Sequence, residues 1–308
     1  MRTEDATRTA QSGRPEAIEA VPVRHPGRWI GAGVIALFAA MFVHGVVTNP
    51  NWDWPLIGEW IFSPPILKGV GVTIVLTILS MIIGLVLGIV LAIMRLSPNP
   101  VLSSSAWVFI WVFRGTPVYV QLFLWGNIIA LYQHFSLGIP FGPEMITFDT
   151  ETLIPVFVAA LLGLGLNEAA YMSEIVRAGI ISVDEGQEEA ATALGMSRMQ
   201  TLRFIVLPQA MRVIVPPTGN ETISMLKTTS LVGVIPLTTE LFFQAGDIGN
   251  RLFKPFPMAI MASLWYLALT SVLMVGQYYI ERYYGKGAMR DLPPTPFQKF
   301  KARLGIGS

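Results

Sequence analysis

Two charged side chains sit inside long apolar stretches, Glu174 in a run over about 153–181 and Lys227 in one over about 218–237. A charge at mid-bilayer costs a few kcal/mol or more unless it is paired or reached by water, so such residues mark candidate solute paths. Asn167, Tyr171, Glu174 and Ala178 recur at helical spacing and share one face, with Glu168 beside them. Asn220, Ser224 and Lys227 form a second polar stripe, with Thr228, Thr229 and Ser230 alongside. Carboxylate, ammonium, amide and hydroxyl groups together can bind both charged ends of an amino acid. The competing arrangement is a Glu174–Lys227 ion pair that touches no solute.

The elements that must hold these residues are membrane helices. Of 308 residues, 53% are apolar and only 13% charged, the balance of a helical membrane protein. About 20 apolar residues cross the hydrocarbon core as a helix. Runs of that kind lie at 29–47, 66–94, 104–133, 153–181, 218–237 and 257–280, so the expected fold is all-α with six transmembrane helices. Residues 1–28 are polar and broken by Pro15, Pro22 and Pro26, a disordered tail by composition. Arg24 and Arg28 precede the first run as they would a signal peptide. No small-x-small cleavage site follows, so the first helix, 29–48, is expected to be retained.

In the second run, Thr73, Thr77, Ser80, Gly84 and Gly88 make a stripe of small residues suited to close helix contact, within the chain or between subunits. The third run contains FRGTPVYVQLF, in which Pro117 should bend or restart the helix. It adds Arg114 and Gln121 to the candidate substrate-binding set, although Arg114 can instead snorkel to the interface. Pro216-Pro217 is the expected start of the fifth span.

Residues 184–208, DEGQEEAATALGMSRMQTLRFIVLP, carry six charges between apolar runs and so belong to a loop. An acidic first turn, then Ala190, Ala191, Ala193 and Leu194, predicts a short helix that stops at Gly195. Ser197 can cap a second helix running to Pro208. The result is an Ala-lined knob outside the membrane.

Glu189-Ala190-Ala191, three residues, Gly195, nine residues, Ile205, one residue, Leu207-Pro208 resembles the EAA loop of bacterial ABC importer permeases. In that family the loop docks into a partner ATPase. The resemblance therefore implies that Glu188, Glu189, Ala190, Ala191, Gly195, Leu207 and Pro208 couple the chain to that subunit. The FRGTP string, the NxxAYxxE-like string at 167–174, and Lys227 with Thr229, Ser230 and Leu231 resemble the polar amino acid branch (histidine, glutamine or arginine type). It covers about 66–285, with the coupling loop at 182–212. The first helix and the tails, 1–28 and 286–308, lie outside it. The implied fold is a five-helix permease core plus one N-terminal helix. The implied assembly has two ATPase copies, a second permease subunit (a copy or a paralogue), an amino-acid-binding protein outside, and a bacterial inner membrane around it. ATP and Mg would sit on the ATPase, with no cofactor or metal on this chain.

Basic residues agree with cytoplasmic termini. Five lie in the first tail, then Arg95, three in the 182–212 loop and six from 282 onward, against only Arg251 and Lys254 outside. A net charge of +1 implies no nucleic-acid binding. No cysteine is present, and His25, His44 and His134 are too scattered for a metal cluster. No GxxxxGK[ST] phosphate loop occurs, so ATP hydrolysis is expected on another chain. The rival functions are an ion-coupled secondary transporter using Glu168 and Glu174, which would favour repeated halves not seen here, and a membrane enzyme with Glu174 as base, for which no nucleophile or metal set is present. Glu168 is the candidate for selecting a cationic side chain.

Overall fold

The computed structural model describes residues 26–139 and 142–284. The tail expected to be disordered, 1–28, lies almost wholly outside these residues, and the second tail, 286–308, lies wholly outside them. Two compact units divide at Trp52/Asp53. In the first, α1 (Pro26–Thr48) is a single helix that is exposed along nearly its whole length. The second holds everything else and contains the polar stripes.

Three helices of the second unit are long and apolar enough to cross a membrane: α3 (Pro64–Leu96), α8 (Val156–Ile181) and α13 (Pro255–Tyr284). With α1 that makes four, or five if the bent pair α4 (Pro100–Gly115) and α5 (Val118–Gly126) counts as one. The expected third span is thus two helices at 100° to each other rather than one rod. The fifth expected span is α11 (Leu207–Thr228), whose polar stripe keeps it from passing on apolarity. It starts nine residues before Pro216-Pro217, which lie inside it. The two prolines withhold backbone donors, and side chains serve carbonyls next to them: Thr218 Oγ1 donates to Ile214 O at 2.8 Å and Gln277 Nε2 to Pro216 O at 2.8 Å.

The all-α expectation has one exception. His134–Gly138 (β1) and Glu144–Asp149 (β2) pair antiparallel between the short turns α6 (Ile128–Leu131) and α7 (Thr150–Leu153). Phe135, Ile146, Thr147 and Phe148 favour extended backbone, which the nearby glycines and prolines mask in the sequence. Two further helices also stood in presumed loops: α2 (Trp54–Trp60), and the amphipathic α12 (Leu241–Arg251). Glu240 caps α12 through Phe242 N and Phe243 N, and its other oxygen accepts from Thr73 and Tyr266. One buried carboxylate therefore ties α3, α12 and α13 together.

The small-residue stripe of α3 is buried inside this chain. A Cβ on Gly84 would stand 2.4 Å from Glu168 Cγ, and one on Gly88 would stand 2.5 Å from Met172 Cβ. Only glycine lets α3 and α8 approach this closely. Since Gly84 meets Glu168 and Gly88 meets Met172, the two helices run in the same direction. Leu76, Leu122, Leu164, Met172, Val232 and Ile235 fill the adjoining core.

The loop between α8 and α11 folds much as its sequence suggests. Asp184 caps α9 (Glu185–Ala193), Gly195 takes the left-handed conformation at φ 76°, and Ser197 and Gln200 form a capping box on α10 (Arg198–Thr201). The second helix does not end at Pro208. A π-helical turn, Leu202–Val206, carries it into α11. Pro208 cannot donate to the preceding turn, and the wider turn, with Leu207 N bonded to Leu202 O, takes up the mismatch.

Candidate functional site

The break between α4 and α5 builds the site. Helix α4 ends at Gly115 because Pro117 cannot supply the next donor and biases Thr116 to extended backbone. The loose carbonyls of the last turn are then bound by side chains. Gln121 Nε2 donates to Phe113 O at 2.8 Å, to Thr116 O at 3.1 Å and to Thr116 Oγ1 at 2.8 Å. Asn167 Nδ2, from α8, donates to Phe113 O at 3.0 Å and to Gln121 Oε1 at 3.2 Å. So Gln121 is buried as a staple, and Asn167 shares that work while also facing the cavity that the break opens.

That cavity is about 600 Å³ and is lined by Arg114, Gly115, Thr116, Asn167, Glu168, Tyr171, Glu221 and Ser224 among others. Glu168 is 4% exposed, and its Oε1 has no hydrogen-bond partner. A buried carboxylate oxygen without a donor beside an open polar space is an incomplete site, because an unserved ionisable group is costly to bury. Glu221 lines the same space, so two carboxyls face it. Across it, the Arg114 guanidinium lies 5.2 Å from the centre of the Tyr171 ring. This arrangement can receive a zwitterion with a cationic tail: carboxyls for positive groups and Arg114 for a carboxylate.

The other candidate residues fall elsewhere. Glu174 pairs with Arg177 at 2.6 Å, one turn along α8, and not with Lys227. The (i, i+3) spacing on one helix makes that pair local, whereas Lys227 lies on α11 and is exposed. Asn220 and Ser224 are exposed on the same side of α11, and of this stripe and its neighbours Ser224 and Thr228 line the cavity. Thr229 is buried and donates to Leu226 O, while Ser230 donates to Lys227 O and lines a separate cavity with Tyr119 and Phe242. In the loop, Glu188, Glu189, Ala190, Gly195, Leu207 and Pro208 are exposed, but Ala191 is turned inward and buried. Sequence reasoning passed over Glu221. The signal was present, since it is an acidic residue inside a run read as a span, the criterion that picked out Glu174.

Residues 84–286 match the family described as "Binding-protein-dependent transport system inner membrane component". The arginine transport system permease protein ArgU of Corynebacterium glutamicum is 50% identical over 92% of this chain and 88% of its own. This chain belongs to the permease subunits of bacterial ABC amino acid importers. The L-cystine permease TcyB of Bacillus subtilis is 39% identical over 74% of this permease and 90% of the relative. The glutamine permease GlnP of Escherichia coli K12 is 33% identical over 72% and 93%. Among solved structures, "an amino acid ABC transporter with histidines" aligns with TM-score 0.61 at 34% identity, covering 72% of this permease and 95% of that chain. The MetNI methionine transporter aligns at 18% identity with TM-score 0.53, a likeness of fold alone. The permease is thus a multi-pass inner-membrane protein and the transport subunit of an amino acid importer.

Proposed function

We propose that this permease carries a cationic amino acid of the arginine type inward, and that a partner ATPase drives it. The observation that carries the substrate class is the Glu168 carboxylate, buried with an unpartnered oxygen beside Glu221 in a cavity that also offers Arg114. In water-poor surroundings a carboxylate discriminates strongly between a guanidinium and a neutral amide of similar size. The 50% identity to an arginine permease over 92% of this chain supports the same class.

Both termini and the 182–212 loop lie in the cytoplasm on this reading, as the basic residues suggest. Glu188, Glu189, Leu194 and the exposed residues around Gly195 meet the ATPase, which holds ATP and Mg. Two ATPase copies serve two permease subunits, and a binding protein outside delivers the solute. The exposed polar stripe of Asn220, Ser224 and Lys227 cannot rest against lipid without cost, so it faces the second permease subunit and the water between the two. Counting α11 and the bent pair each as a span brings the total to six.

The test is uptake across a substrate panel by the complete transporter. Glu168→Gln should lower arginine uptake at least tenfold relative to glutamine. An unchanged ratio of arginine to glutamine uptake would refute the role of Glu168.

A further inference from the structure

Below the Glu168 cavity lies a second one, of about 480 Å³, lined by Arg95, Trp107, Trp111 and Glu174. It is nearer the 182–212 loop, because Glu174 follows Tyr171 on α8 and Arg95 is in the last turn of α3. The two cavities share three residues, Arg114, Gly115 and Tyr171. Arg114 comes from the last turn of α4, just before the break, and Tyr171 from the middle of α8. Their 5.2 Å cation–π contact therefore spans the boundary between two spaces and joins α4 to α8 one turn from the Asn167–Phe113 hydrogen bond, on the side where the two cavities meet.

We propose that Arg114 and Tyr171 form a gate between two stations of one solute path, and that the lower cavity is the release station. The proposal rests on the reading of the upper cavity as the amino-acid site. The charges on either side fit a one-way sequence. In the upper cavity the Glu168 carboxylate has an oxygen with no partner and can hold a cation. In the lower cavity the carboxylate of Glu174 is already bound by Arg177 at 2.6 Å, and Arg95 adds a further positive charge. A cationic amino acid is thus held above the gate and weakly held below it. The guanidinium of Arg114 opposes passage until it swings off the ring. Trp107 and Trp111, stacked with planes 4° apart, give the lower cavity an aromatic wall over which a departing side chain can slide.

The lack of native cysteine allows a direct test. Thr228 lines the upper cavity only, so Thr228→Cys reports whether that cavity can be reached. A membrane-impermeant methanethiosulfonate is added from the side of the 182–212 loop, to inside-out vesicles carrying the complete transporter without nucleotide. Labelling should be slow in the otherwise unaltered chain and in Tyr171→Phe, which keeps the ring. It should be at least tenfold faster in Tyr171→Ala and in Arg114→Ala, which remove the contact from different helices. Rapid labelling of the unaltered gate, or no acceleration in either alanine variant, would overturn the proposal. The labelling rate does not depend on which amino acid is carried. A transporter that shows this pattern yet does not take up arginine would therefore sink the substrate reading and leave the gate standing.

Discussion

At the scale of single residues, the site depends on an absence. Gly84 has no side chain, and that gap admits the stem of Glu168, whose Cγ would meet an added Cβ at 2.4 Å. Gly84→Val should push Glu168 off its position, cost about 1–3 kcal/mol as an overpacked contact, and reduce arginine uptake. Thermal unfolding in detergent, read beside uptake, checks both effects, and a valine tolerated in each would remove the packing argument. Glu168 was visible in the sequence as a charge in an apolar run, and Gly84 as part of a small-residue stripe. Their contact was not visible, because nothing in either helix alone states which turn of α3 faces which turn of α8. Glu174 is a different case. The sequence offered Lys227 as its partner, whereas the ion pair is made with Arg177, one turn away on the same helix, whose (i, i+3) spacing was legible but passed over.

At the scale of elements, the break between α4 and α5 is the feature from which the cavity follows. Pro117 made the bend legible, but its size and its closure were not. Gln121 looked like a substrate ligand because it is polar and sits in an apolar helix. In the fold its amide serves the carbonyls of Phe113 and Thr116 that the proline leaves unpaired. Gln121→Leu should remove the side-chain donor from Thr116 O, leave Asn167 as the side-chain donor to Phe113 O, and destabilise the protein by about 1–3 kcal/mol. A melting temperature equal to that of the unaltered protein would contradict this. The short loop helices were legible almost residue by residue, since Asp184, Gly195 and Ser197 act through local rules. The β1–β2 hairpin was hidden by its glycines and prolines. The reach of α11 back to Leu207 was hidden by two internal prolines, which read in the sequence as the start of a helix.

At the scale of the whole molecule, the permease has a polar cavity in its bundle, a helical knob at one end, and no phosphate-binding loop in its sequence. On the proposed reading, ATP hydrolysed by a partner chain supplies the drive, and it enters through the exposed knob residues around Glu189 and Gly195. Family membership argues against the ion-coupled alternative, and the two accounts differ in what powers accumulation. The most direct measurement follows arginine accumulation and ATP hydrolysis together in proteoliposomes that hold the complete transporter, with the binding protein outside and no ion gradient. The unaltered transporter should accumulate arginine only with ATP inside. Glu189→Lys should remain in the membrane and lose both accumulation and solute-stimulated hydrolysis. Accumulation driven by a proton gradient without ATP, or normal coupled turnover in Glu189→Lys, would contradict the account.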